Sequence, residues 1–430
     1  MKILLVGSGG REHAIAHRLA VSPKCTELFI APGNPGTFQC GTNVDISADD
    51  ISSLLAFAKT SNIDLTFVGP EQPLALGIVD AFESEGLTIV GPNKKAAQLE
   101  SSKAWAKAKY DRYKIPTAGY QEFHDLDSAI EYVREKNTYP MVIKADGLAA
   151  GKGVTIAQSM DEAVNALNDC FVHQIFKDAG QCVVIEDFLQ GEEASLFAFT
   201  DGDTVLPMIS AQDHKAIFDG DKGPNTGGMG AYSPAPVFTP DVQQKVMDRI
   251  LNPLIEGFKR DGIRYKGILY AGLMIDDLGD PYVVEFNIRF GDPETQIVLP
   301  KLTTDLVDVL VAISQNTLHE ISLDWLKNYS VCVVMAAEGY PGSYEKGRKI
   351  TGLNDSSDSN SFVYHAGTNQ SEAGEFFTNG GRVLNVCAEG NSLNDAISSA
   401  YQRVSRIQFD GAYYRTDIGQ KGVARLKPAV

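Results

Sequence analysis

Residues 1–20 read MKILLVGSGGREHAIAHRLA. Ile3–Val6 is an unbroken apolar run, Gly7-Ser8-Gly9-Gly10 turns the chain, and from Arg11 the apolar positions take helical spacing, with Ile15 and Leu19 at i,i+4. A buried strand that enters a helix through a glycine turn is the building unit of a doubly wound parallel sheet. The unit repeats. The pattern predicts further strands at Leu28–Ile30, Leu65–Val68 and Thr88–Val90, and helices at Arg11–Ala20, Ile51–Lys59 and Pro73–Ser84. Such sheets bind ligands beyond the carboxyl ends of their strands. Here those ends carry four loops rich in Gly or Pro: Gly7–Gly10, Ala31–Gly36, Val68–Glu71 and Gly91–Asn93.

A dinucleotide-binding fingerprint fails at Glu12, which stands where the third glycine of G-x-G-x-x-G belongs. Gly9, Gly10 and Arg11 at a helix start instead offer backbone N–H groups and a guanidinium to a single phosphate monoester. A tight strand-to-helix turn with Arg11 solvated is the other reading, and the residues alone leave both open.

Beyond about residue 102 the pattern changes. A helix at Ser102–Tyr113 precedes strands at Met141–Lys144, Thr155–Ala157 and Val183–Glu186, with a helix near Asp161–Val172. Ala145–Gly153 (ADGLAAGKG) joins two of these strands. It is not a P-loop, because Gly153 follows Lys152 where Ser or Thr is required; a phosphate-covering flap and a plain hairpin turn both fit it. Lys144 lies on an apolar strand and needs an anionic partner if it faces inward. Residues 210–233 read as a long, polar, Gly-rich loop, a kind usually kept for function. Gly267–Ile275 and Pro281–Asn287 form a hairpin through Asp276–Asp280. On its second strand Glu285 and Asn287 share a face, with Val284 and Phe286 expected to pack behind. A carboxylate beside an amide oxygen suits a hard cation such as Mg²⁺, and Arg289 continues the same face. A solvated edge strand is the plainer alternative. A third region from about 326 carries strands at Ser330–Ala337, Phe362–Ala366 and Gly381–Ala388, a surface turn at Asn354–Ser361 and a helix at Leu393–Ile407.

The chain has 430 residues, enough for about three domains. It holds 38 Lys+Arg against 55 Asp+Glu, a net charge of −17 that disfavours nucleic acid and anionic membranes as partners. No apolar stretch reaches the length of a signal core or a membrane span, so a cytoplasmic location is expected. The 6 cysteines include no CxxC and no pair at metal-ligand spacing, which points to reduced, mostly buried thiols and gives zinc no support. His13 and His17 have zinc-protease spacing, but Ala14 replaces the required Glu, and both read as ordinary helix residues.

Three strings, VIKADGLAAGKGV (142–154), QDHKAIFDGDKGPNTGGMGAYSP (212–234) and EFNIRFGDPETQ (285–296), together resemble the phosphoribosylamine–glycine ligases, or glycinamide ribonucleotide synthetases, of the ATP-grasp superfamily. The resemblance runs from VGSGGREHA to YRTDIG at 414–419, and is to the monofunctional bacterial form. It implies an N-terminal substrate domain (1–101), an ATP-grasp domain (102–325) with a lid at about 121–190, and a C-terminal mixed β-rich domain (326–430). It also implies ATP-dependent ligation of glycine to 5-phosphoribosylamine through glycyl phosphate, in purine synthesis, by an enzyme that uses Mg²⁺ or Mn²⁺ and acts as a monomer.

Residue by residue, the resemblance gives the metal to Glu285 and Asn287, and the α- and β-phosphates to Lys103 and Lys144. The flap falls on Gly151, Lys152 and Gly153, and adenine on the Glu186–Leu189 backbone, with Asp187 and Leu189 in it. Ribose falls to Glu193, and the γ-phosphate to Lys215 and Asn225. Arg289, Lys215 and Asp213 are the implied catalytic groups. The loop Gly291, Asp292, Pro293 and Glu294 would meet the acyl phosphate and the ribosylamine, whose 5-phosphate rests on Gly9, Gly10 and Arg11. Two departures stand out. Many ATP-grasp enzymes place a second acidic ligand on the preceding strand, where this chain has Tyr270–Met274, and Ile297 after the signature matters only for packing. A nicotinamide oxidoreductase, a non-catalytic binding protein and a carboxylase-like ATP-grasp ligase are the competing classes; the first lacks its third glycine, and the second would not need the retained Lys144, Lys152, Glu285, Asn287 and Arg289.

Overall fold

The computed structural model describes residues 1–148, 153–353 and 360–426. Its first sheet is parallel throughout, in the order Thr42–Asn43, Glu27–Pro32, Lys2–Gly7, Leu65–Val68, Ile89–Val90. The central strand is buried on both faces, as Ile3, Leu4, Leu5 and Val6 require. The expected helix at Pro73–Ser84 is two helices, Glu71–Leu76 and Ile78–Ser84. Gly77 divides them at φ +97, a left-handed conformation that closes the first helix and that side chains rarely adopt.

Helix Lys103–Tyr113 is capped by Ser102, whose hydroxyl accepts from Trp105 N–H. The chain then builds a separate layer. Strands Tyr120–Phe123, Val183–Asp187, Met141–Ala145 and Val154–Ala157 pair antiparallel in that order. Helices Leu126–Lys136 and Met160–Phe171 cover one face, and Phe123, Val133, Ile143, Leu167 and Ile185 form a core of their own. A second antiparallel sheet, Val205–Pro207, Glu192–Thr200, Gly267–Ile275, Pro281–Asn287, forms the floor beneath it.

Residues 210–233 are not a single loop. They form Gln212–Asp213, Ala216–Phe218, Lys222–Asn225 and Gly230–Ser233, and the first and last of these extend the C-terminal sheet. That sheet runs Gln212–Asp213, Gly230–Ser233, Tyr329–Ala337, Arg382–Gly390, Ser361–His365. The composition is polar and Gly-rich, yet Ala231 and Tyr232 supply a buried apolar rung against Cys332 and Val331. Helix Leu393–Val404 packs on this sheet. Of the turn expected at Asn354–Ser361, residues 354–359 lie outside the described residues, and Ser361 opens a strand.

Candidate active site

All these layers meet at one cleft of about 390 Å³, within the range of roughly 300–1,000 Å³ typical of small-molecule sites. Its centre is the strand Pro281–Asn287. The ladder with Gly267–Ile275 slips at Gly272/Leu273, where Glu285 pairs with Gly272 but Val283 pairs with Leu273. This bulge changes the expected alternation. Val284 turns to line the cleft, Val283 packs behind it in the core, and Phe286, also in the core, reaches the cleft wall. Glu285 and Asn287 still share the cleft. Burial would push the Glu285 carboxyl up, but Lys215, Lys144, Lys103 and Arg289 outweigh it and hold it below its ordinary value, hence ionised. Glu285 and Asn287, as hard oxygen donors, would be able to hold a Mg²⁺ ion, and the surrounding cations suit the phosphates such an ion would accompany.

The lysines come from three places: helix Lys103–Tyr113, strand Met141–Ala145 and the link after Gln212–Asp213. Lys144 ion-pairs with Glu186 at 2.9 Å, the anionic partner its inward position demanded, and donates to Val284 O at 3.1 Å. Lys107 meets the other Glu186 oxygen at 3.3 Å. Two ammonium groups on one carboxylate leave a net positive charge in a buried place, which suits a phosphate chain. Burial moves Lys107 down to about 8, with Glu186 opposing. Lys103 donates to Gly147 O at 2.9 Å, beside the expected flap, and burial lowers its pKa, opposed by Glu285. Lys215 pairs with Glu193 at 2.8 Å. Of the flap, Gly153 bonds through its carbonyl to Ala145 N–H at 2.8 Å; Gly151 and Lys152 lie outside the described residues.

The opposite end is apolar. Val142, Ile156, Phe188, Leu189 and Met274 form a slot next to the Glu186–Leu189 segment, and the Asp187 side chain points away to Lys136 at 2.6 Å. Asn225 lines the cleft from the strand Lys222–Asn225.

Carboxylates and guanidiniums alternate along the remaining wall. Arg289 meets Glu100 at 2.8 Å, Glu71 at 3.1 Å and Asn287 Oδ1 at 3.1 Å. Burial pushes Glu71 up, but Arg289 and Arg11 prevail and bring it down to about 2. Burial wins at Glu100, which rises to about 7 against the pull of Arg289. Asp213 is likewise pushed up to about 7, by burial and by Glu294, Glu193 and Glu285 against Lys215. Glu294 accepts from Tyr270 Oη at 2.6 Å, and Gly291 lies tight against it, since a Cβ there would fall 2.5 Å from its Oε2. Pro293 packs on Gly228.

The Gly9-Gly10-Arg11 turn is more self-contained than its sequence implies. Glu12 accepts from Gly9 N–H at 2.6 Å and from Arg11 Nε at 2.5 Å, and its side chain fills space that only glycine at 7 and 69 leaves open. Arg11 lines the cleft but also reaches Phe290 O at 3.2 Å.

Sequence reading missed four wall residues. Lys107 had a signal, one helical turn after Lys103 on the same face. Glu71 ends the Val68–Glu71 loop, where nothing local marks it for a role. Glu100 and Arg382 had no local signal. Arg382 comes from the C-terminal sheet and donates to Gly227 O at 2.6 Å, to Asp292 O at 2.7 Å and to Asp292 Oδ2 at 2.8 Å.

Three family models match along the chain: phosphoribosylglycinamide synthetase N domain at residues 1–100, its ATP-grasp (A) domain at 101–295 and its C domain at 330–421. Curated relatives include phosphoribosylamine–glycine ligases of Yersinia pestis, 51% identical over 99% of this chain and 100% of that protein, and of Salmonella typhi, 50% identical over 99% of each. Among solved structures, the phosphoribosylamine–glycine ligase of Thermotoga maritima superposes with a TM-score of 0.84 at 33% identity, covering 97% of this chain and 100% of that one. The biotin carboxylase domain of the Hydrogenobacter thermophilus 2-oxoglutarate carboxylase, at 15% identity and TM-score 0.76 over 100% and 99% of the two chains, shares the fold. The chain belongs to the phosphoribosylamine–glycine ligase family, ATP-dependent enzymes that join glycine to 5-phosphoribosylamine in purine biosynthesis.

Proposed function

We propose that the ligation runs through glycyl phosphate, formed and consumed in the one cleft. A glycine carboxylate oxygen attacks the γ-phosphorus of ATP and ADP leaves. The amine of phosphoribosylamine then attacks the acyl carbon, inorganic phosphate departs and the nitrogen loses a proton. Phosphoryl transfer of this kind needs positioning and charge neutralisation more than a nucleophilic side chain. The observation that carries the reading is the placement of Glu285 and Asn287 among Lys103, Lys144, Lys215 and Arg289 in a single cleft.

Glu285 and Asn287 would hold Mg²⁺, or Mn²⁺ in its place, which when bound neutralises charge on the phosphates. Lys103, Lys144 and Lys107 hold the α- and β-phosphates. Adenine occupies the apolar slot against the 186–189 backbone, and ribose reaches Glu193. Lys215, Asn225 and Arg289 face the transferring phosphoryl group, with Asp213 beside Lys215 to take the amine proton. The Gly291–Glu294 loop faces the acyl group. The ribosylamine phosphate lies against the Gly9–Arg11 turn with Glu12 kept as helix cap. Residues 1–101, 102–325 and 326–430 act as the working units of a cytoplasmic monomer, and the lid at about 121–190 closes to keep water from the acyl phosphate.

The test is an ADP-release assay with Mg²⁺, glycine and phosphoribosylamine made in situ, repeated with hydroxylamine in place of phosphoribosylamine. Glycine-dependent ADP release and glycine hydroxamate are the expected products. ADP formed equally without glycine would overturn the ligase reading, and absence of hydroxamate would overturn the intermediate.

A further inference from the structure

The lid carries a second cluster of donor side chains, outside the cleft. Strands Tyr120–Phe123 and Val183–Asp187 pair antiparallel, with Glu122 opposite Val184 and Phe123 opposite Val183. Continuing that register by one residue sets His124 opposite Cys182. His124 stands one residue past the end of the strand Tyr120–Phe123 and two residues from Glu122, and Cys182 stands one residue before the paired strand, so the three meet at one end of the ladder. The side chains do meet. His124 Nε2 lies 2.8 Å from Glu122 Oε1, Cys182 Sγ lies 3.6 Å from the same oxygen, and one donor atom from each residue falls within 4.8 Å of the other two.

We propose that Glu122, His124 and Cys182 form a binding site for a thiophilic divalent cation of the zinc class. A four-coordinate ion with metal–sulfur distances of about 2.3 Å and metal–nitrogen and metal–oxygen distances of about 2.0–2.1 Å holds its ligands roughly 3.3–3.6 Å apart. The existing separations of 2.8 and 3.6 Å lie near that range, and the third is no more than 4.8 Å. One thiolate, one imidazole and one carboxylate also differ in kind from the all-oxygen pair Glu285 and Asn287: sulfur and nitrogen donors select Zn²⁺ or Co²⁺ over Mg²⁺. Burial, and then Asp146 and Glu122, push the Cys182 thiol up to about 12, so an arriving cation has to displace its proton, and the same two carboxylates attract that cation. His124 is largely exposed and Glu122 half so, which leaves an entry path and room for a water as the fourth ligand.

Occupancy would tie together two neighbouring strand ends. Cys182 O accepts from Asp146 N–H at 2.9 Å, so the clamp sits where the glycine-rich loop leaves its strand, and the clamped strand carries Glu186. The ion would therefore stiffen the lid where it meets the phosphates.

The experiment uses the full chain with saturating Mg²⁺, so that the hard-oxygen pair is occupied, and titrates Co²⁺ as a coloured probe. Wild type should take up one equivalent with tetrahedral visible bands and a thiolate-to-cobalt absorption in the near ultraviolet, both abolished by added Zn²⁺. Cys182→Ser should lose the charge-transfer absorption, and His124→Ala should weaken Co²⁺ binding at least tenfold. Both variants should keep wild-type ligase activity in Mg²⁺ buffer free of transition metals and zinc, which certifies their fold independently of the new site. A thiolate band that survives Cys182→Ser, unchanged affinity in His124→Ala, or no band in wild type would each overturn the proposal.

Discussion

Glu285 is where the charges of the cleft converge, since three lysines and Arg289 all bear on its carboxylate. A neutral isostere keeps the volume and removes that focus. Glu285→Gln should lower turnover by at least about 100-fold, the loss typical of removing one preorganised electrostatic group. Its circular dichroism spectrum should match wild type, and unchanged activity at saturating Mg²⁺ would place the metal elsewhere. Arg382 gives a different kind of prediction. It touches the Gly227 carbonyl and both the backbone and carboxylate of Asp292, so it holds the Gly291–Glu294 loop from the C-terminal sheet. Arg382→Ala leaves Asp292 without its cation and should cut kcat/KM for phosphoribosylamine by about tenfold or more, about 1.4 kcal/mol of transition-state stabilisation. KM for ATP should hardly move. Arg382→Lys, which cannot reproduce the planar fork, should restore little. A uniform loss across all substrates in kinetic assays would make Arg382 merely structural.

At the level of elements, local pattern exposed what local physics determines. Ile3–Val6 and the hairpin Gly267–Asn287 were legible because burial on both faces and a tight turn leave a signature in adjacent residues. Glu192–Thr200 was not read as a strand, although it fills the middle of the floor sheet, because its first residues are the acidic Glu192 and Glu193. The bulge at Val284 was equally hidden, for a register slip depends on the partner strand. Glu100 and Arg382 reach the cleft only through contacts far along the chain, which no spacing records. The elements between Tyr120 and Asp187, by contrast, form a core of their own. Such a body can open as a unit. Limited proteolysis should therefore cut within about 121–190 in the free enzyme, and a non-hydrolysable ATP analogue with Mg²⁺ should slow those cuts several-fold. Equal cleavage rates, followed by gel and mass spectrometry, would remove the lid from the mechanism.

The whole molecule has a net charge of −17, yet it gathers Lys103, Lys107, Lys144, Lys215, Arg11, Arg289 and Arg382 around one cleft. That gathering depends on the N-terminal and C-terminal parts packing against each other, and the contact is built from groups that must stay neutral. His13 Nδ1 accepts from His365 N–H at 2.9 Å, Asn34 donates to His365 O at 2.9 Å, and a Cβ at Gly36 would sit 2.2 Å from the His13 ring. Gly10 is as close on the other side, where a Cβ would lie 1.9 Å from Asn385 Nδ2. Burial, with His365 and His17 nearby, lowers His13 to about 3, and burial lowers His365 to about 4. His17 is lowered too, by burial and Arg18. For bases with depressed folded pKa values the unfolded chain binds more protons between the two pKa values. Their contribution is complete above about pH 6.5 and is lost as pH falls toward 3–4. By pH 5 each of His13 and His365 should have cost about 2 kcal/mol. His214, lowered to about 4 mainly by burial, adds a like loss, while Glu100 and Asp213, pushed up to about 7, gain stability over the same range. His13→Gln, which keeps an acceptor but cannot titrate, should therefore have a thermal midpoint that is shifted upward relative to wild type at pH 5 compared with pH 7, by the His13 share of about 2 kcal/mol. A variant whose midpoint falls in parallel with wild type would show that the acid sensitivity of the assembled cleft arises outside this contact.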